Sequence, residues 1–225
     1  MADGALMTKR LLFLGALLLA ACDSPTVPER AANAYDFRLS APQLEVLRWP
    51  TGTTVHVFAT GDADANRSQW LRDAVAFGTR AWNDALLFGE VRLQVVSAPF
   101  EADVVVQYSP GDSPVDASDC PPSGGLAFTT FCLAEDSVHL AAFPLRESAG
   151  GRVKFLVTVR ASSATDAQNV RRLVTHELGH TLGIAQHSLA ATDLMYWGTL
   201  SRDTPSPADR ATLQVLYHTP PDITP

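Results

Sequence analysis

Two hydrophobic periods alternate along most of the chain, and the places where one gives way to the other mark its elements. Residues 53–59 (TTVHVFA) are β-branched and alternate, the period-2 pattern of a half-buried strand. Residues 68–88 change period: Trp70, Leu71, Ala74, Val75, Phe77, Ala81, Trp82, Ala85 and Leu86 recur every three or four positions, which predicts a helix with one core-facing stripe. Strands are predicted at 91–96 and 103–108, the second with a continuous apolar run suited to cover on both faces. Residues 109–124, rich in Pro, Asp, Ser and Gly, read as a long surface loop; 125–133 and 137–143 then read as strands, and 154–159 as another or an extension. Residues 164–182 return to helical spacing. Thr165 is the expected N-cap, and Val170, Leu173, Val174, Leu178 and Leu182 form a buried stripe that leaves His176 and His180 on a neighbouring face. Ser206, Pro207 and Asp209 supply a cap, a first-turn proline and a first-turn acid for a closing helix, whose buried face is Leu213, Leu216 and Tyr217.

Composition narrows the class. With 225 residues, 46% hydrophobic and 18% charged, the chain can build one well-buried domain with appendages. A net charge of −7, with no basic run longer than Arg171-Arg172, argues against nucleic acid as a partner. At the N-terminus Lys9 and Arg10 precede an apolar run, Leu11 to Ala21, too short for a permanent membrane span but suited to a secretory signal core. Its end, Leu19-Ala20-Ala21-Cys22, resembles the bacterial lipobox, which implies lipidation at Cys22 and an exported chain anchored to a membrane of the cell envelope; a plain secretory signal is the alternative. Cys120 and Cys132 remain, and in an exported chain an even pair is most simply a disulfide, worth about 3 kcal/mol in the loop-entropy model; a second metal site is the alternative. Residues 22–48, with Pro25, Pro28 and Pro42, read as a flexible tether.

The chemistry concentrates in residues 176–187, HELGHTLGIAQH. His176 and His180 are four apart, so on a helix they lie about 40° apart around the axis and one turn along it, and two neutral imidazoles there can share one metal. Glu177 stands beside the first His, in the position of a general base rather than a ligand. Gly183 can take the left-handed conformation that ends a helix, turning the chain so that His187 reaches the metal from the following loop. Three imidazoles would leave one tetrahedral position open for water, a donor set that suits Zn2+ and not magnesium or calcium.

This stretch resembles the metzincin zinc peptidases, whose signature is HExxHxxGxxH followed by a methionine-containing turn; here Asp193-Leu194-Met195-Tyr196 corresponds to that turn, with Met195 beneath the metal. The third His departs from the pattern by one residue, since Gln186 occupies the family position and His187 follows it. HELGHTLG, the Met turn and SPADRATLQVLY are most similar to the matrixin-like, matrix-metalloproteinase-type branch. The resemblance implies an α+β fold with a twisted, mostly parallel five-stranded sheet, an antiparallel edge strand, an active-site helix and a closing helix. It also implies a monomeric zinc endopeptidase binding a protein or peptide in extended conformation along the edge strand, for which residues 124–130 are the candidate. The organisation expected is a signal at 1–21, the tether at 22–48, a catalytic domain at 49–218 and a tail at 219–225. Two other readings fit the same residues: a surface-binding protein that keeps zinc as a staple, in which Glu177 would have no use, and a zinc hydrolase of non-peptide amides.

Overall fold

The structure, a computed structural model, describes residues 33–40, 44–86, 88–109, 126–131 and 153–225. Five strands, β1 (Thr53–Ala59), β2 (Val91–Val95), β3 (Val104–Ser109), β4 (Ala127–Phe131) and β5 (Phe155–Arg160), form one sheet in the order β2-β1-β3-β5-β4. β1 pairs in parallel with β2 and β3, and β3 with β5; β4 runs antiparallel to β5 and is the last strand among the described residues. Among the described residues three α-helices, α1 (Ala65–Asn83), α2 (Ala167–Thr181) and α3 (Pro207–His218), share a core with the sheet, giving the expected mixed α and β class with mostly parallel strands.

The continuous apolar runs of β3 and β5 are explained by burial on both faces. Val104, Val106 and Tyr108 join Phe155, Val157 and Val159 in the main core with the helices, while the alternate residues Val105 and Leu156 cover the other face with Ala102 and Val153. β1 shows the half-buried version, Val55 and Val57 fully inside and His56 between them partly exposed. His56 Nδ1 lies 3.1 Å from Asp103 Oδ2, a structural partnership remote in sequence from the HELGH helix.

α1 starts three residues before the expected start at residue 68 because Asp64 caps it, its carboxylate accepting from the Asn66 and Arg67 amides. α2 is capped by Asp166 rather than by Thr165. Both are good capping types, but Asp166 carries the extended backbone (φ −162°, ψ 167°) that lets its side chain accept from Asn169 N, and Thr165 donates to Asp166 instead. α1 and α2 approach closely, with Trp82 Nε1 donating to Thr175 O at 2.7 Å. Gly179 permits this, since a Cβ there would meet Met195 Sδ and Trp82 Cζ2. α3 opens with a full capping box between Ser206 and Asp209.

The expected boundaries at 48 and 218 need correction. Residues 33–40 and 44–48 are a strap packed on the domain, not tether: Phe37, Val46 and Leu47 are buried, and Leu47 bridges Ile223, which is buried too. Backbone bonds from Asp222 and Ile223 to Val46 O, and from Arg48 to Ile223 O, join the two ends of the domain. Apolar side chains between the polar ones give this stretch something to bury, and that outweighs its loop-like composition. The signal, Cys22, the Cys120 and Cys132 pair and the strand expected at 137–143 lie outside the described residues.

Candidate metal centre

His176 and His180 project from the last two turns of α2, His176 buried and His180 half-buried. The helix ends directly beyond them in a Schellman motif. Gly183 takes φ +107°, its N–H donates to His180 O at 3.0 Å, and Ile184 N donates to Gly179 O at 3.3 Å. A Cβ at position 183 would collide with the Leu47 carbonyl oxygen, so the turn depends on glycine for both conformation and space. The same turn orients a side chain of the helix it ends, because Ile184 O lies 2.6 Å from His180 Nδ1.

His176 Nδ1 is held in the same way, 2.7 Å from Leu194 O in the Asp193–Tyr196 turn. With both Nδ1 atoms donating to carbonyls, both Nε2 lone pairs are free to face one point. His187, the most exposed of the three, completes the group from the loop: its Nε2 lies 3.3 Å from His180 Nε2, and one ligand nitrogen from each of the three histidines lies within 4.8 Å of the others. Zinc–nitrogen bonds of about 2.0–2.1 Å at the tetrahedral angle place ligand nitrogens about 3.3 Å apart, the separation of the His180 and His187 Nε2 atoms. Burial pushes the His176 imidazole down to about 4, an effect opposed by the Leu194 carbonyl, and pushes His180 well below its ordinary value; His187 is lowered by partial desolvation of its ring. All three are therefore neutral at physiological pH, the form that ligates metal.

The loop carrying His187 is fixed from two sides. Ser188 N donates to Met195 O at 2.7 Å, and Ser188 bridges Tyr196. Upstream, Ala185 N donates to Phe37 O and Gln186 Nε2 donates to Arg38 O and Ser40 Oγ, each near 3.0 Å. Gln186 therefore faces the strap, and the residue after it turns toward the other two imidazoles. Met195 is fully buried with its sulfur against Gly179, below the helix that bears the histidines.

Two supporting residues were not identifiable from local spacing. Asp209, fully buried at the start of α3, accepts from Leu194 N, Met195 N, Ser206 N and the Tyr35 hydroxyl, so one carboxylate ties the turn beneath the site to the closing helix and the strap. Its place as a first-turn acid was the only local signal. Thr129, on β4, lies with its hydroxyl 2.8 Å from Glu177 Oε2 and 3.0 Å from the Glu177 carbonyl oxygen. Glu177 itself is buried, and burial pushes its carboxyl up to about 7 against the lowering effect of the Thr129 hydrogen bond.

No protein-family model and no curated protein sequence matches this chain. Among solved structures it is similar to myroilysin, with 13% identity over 82% of this chain and 99% of that one and a TM-score of 0.44. It is also similar to archaemetzincin from Methanopyrus kandleri, with 15% identity over 73% of this chain and 94% of that one and a TM-score of 0.42. At these values the likenesses are distant, and the functional reading rests on the geometry of the site.

Proposed function

We propose that this protein is a zinc-dependent endopeptidase of the matrixin-like metzincin type. The observation that carries the reading is the convergence of three neutral imidazoles, two with Nδ1 committed to backbone carbonyls and a 3.3 Å Nε2 to Nε2 separation, beside a buried carboxyl. His176, His180 and His187 would hold the ion; when bound, it supplies Lewis acidity that acidifies a water and polarises a carbonyl. Glu177 takes the proton of the attacking water and delivers it to the leaving nitrogen. The buried carboxyl, held by the Thr129 hydroxyl, is placed to accept that proton and return it. The Leu194 and Ile184 carbonyls keep two of the rings from rotating, and the polypeptide substrate would pair in extended form along β4, the last strand among the described residues.

The proposal includes an address. Cys22 after Leu19-Ala20-Ala21 would be acylated, leaving the monomeric domain exported and lipid-anchored at the cell envelope; among the described residues no helix is long and apolar enough to cross a membrane. Metabolic labelling with a fatty-acid probe should mark the wild-type chain and not Cys22→Ser. The activity itself is tested by Glu177→Ala. This variant should retain one zinc per chain and lose hydrolysis of a denatured protein by at least about 100-fold, since the base serves chemistry and not coordination. Near wild-type hydrolysis by that variant would overturn the mechanism.

A further inference from the structure

We propose that Thr129 is a positioning residue for the reaction, holding the Glu177 carboxyl in working orientation from the strand that lines the substrate edge; this rests on the endopeptidase reading above. A glutamate side chain has three rotatable bonds, and nothing in its own helix fixes the far end. The Thr129 hydroxyl touches both ends of that lever, the carboxyl Oε2 at 2.8 Å and the backbone carbonyl of the same residue at 3.0 Å. One hydroxyl thus references the side chain to its own backbone.

Thr129 is suited to this by its place in the sheet. As a β-branched residue in a strand it has restricted rotamers, so the direction of its hydroxyl is set by the backbone. That backbone is set in turn by antiparallel pairing with β5, in which Thr129 faces Val157, a fully buried core residue. Among the described residues β4 is the last strand of the sheet, the one along which the extended substrate proposed above would pair. The strand on which an extended peptide would lie and the strand that fixes the base are therefore the same, so peptide and carboxyl share one frame. Loss of such a supporting hydrogen bond typically costs roughly 10- to 100-fold in activity.

The experiment compares Thr129→Val, Thr129→Ser and Thr129→Ala with the wild type in the zinc-loaded full chain. Thr129→Val keeps the shape and removes the hydroxyl. It should lower kcat roughly 10- to 100-fold with KM within about twofold and zinc stoichiometry unchanged, alongside a fall of a few degrees in melting temperature from the lost hydrogen bond, the pattern of a lost contribution specific to the transition state. Thr129→Ser should recover most of kcat, because it restores the hydroxyl without the methyl. Where Thr129→Val fails to fold, the Ser and Ala variants make the same comparison. Equal kcat in the forms with and without the hydroxyl, while Glu177→Ala is inactive, overturns the role of Thr129 and leaves the function standing. Activity in Glu177→Ala would overturn the function instead. A Thr129→Val loss appearing in KM or zinc content alone would reduce the residue to a structural contact.

Discussion

At the scale of single residues, Gln186 and His187 separate two kinds of contribution that their adjacency hides. Gln186 spends its amide on Arg38 O and Ser40 Oγ, whereas His187 Nε2 stands 3.3 Å from His180 Nε2. An amide is a much poorer zinc ligand than an imidazole. His187→Ala should therefore weaken zinc binding by orders of magnitude in competition with a chromophoric chelator. Gln186→Ala should leave zinc affinity within about tenfold and instead lower stability by roughly 0.5–1.5 kcal/mol per hydrogen bond lost, read by denaturation of the metal-free protein. The reverse ordering would place the ligand at Gln186. The first two histidines and Glu177 could be read from the sequence because a helix converts a spacing of four into one face. The reason for the one-residue displacement could not, since the partner of Gln186 is 148 positions away, and the Thr129 contact spans 48.

At the scale of elements, hydrophobic period identified the five described strands and three helices to within a few residues, because each has a face or a pair of faces that water excludes. What period cannot show is how one element orients another. The Asp193–Tyr196 turn supplies Leu194 O to His176, yet the turn is held by Asp209 from α3, through Leu194 N at 2.8 Å and Met195 N at 3.3 Å. Substituting Asp209→Asn keeps the shape but exchanges an all-acceptor carboxylate for a group with one acceptor oxygen and an NH2 facing buried donors. At least one of those donors is then unpaired, at about 1–3 kcal/mol each, while the Ser206 hydroxyl still accepts from the backbone amide of residue 209. The expected result is a fall in melting temperature of several degrees, at about 2–4 °C per kcal/mol. Because Leu194 moves with the turn, zinc affinity should fall roughly 10- to 100-fold as well. A variant destabilised with zinc affinity unchanged would show that the turn keeps its place without Asp209.

At the scale of the whole molecule, the domain is closed by its two ends. The Val46 amide donates to Asp222 Oδ2 across 176 positions, and Tyr35 reaches Thr212 and Asp209 across similar separations. The same strap meets the loop of the third histidine through Phe37 O and Arg38 O. Local composition concealed this, since a polar, proline-punctuated stretch looks alike whether it hangs free or lies in a groove whose other wall comes from the far end of the chain. The energetic weight is large. Phe37, Val46 and Leu47 are at most 4% exposed, and burial of three such side chains contributes roughly 5–9 kcal/mol as an upper bound, against a typical net stability of about 5–15 kcal/mol. A chain beginning at residue 49 should therefore be marginal: its melting transition should fall by about 10 °C or more relative to residues 33–225, or vanish, and its zinc affinity should drop because Ala185 and Gln186 lose their anchor. Thermal denaturation and zinc titration of the two chains side by side provide the measurement. Equal melting temperatures and equal zinc affinities would mean that the strap rests on the domain without supporting it, and that the His187 loop keeps its geometry from Ser188 and Met195 alone.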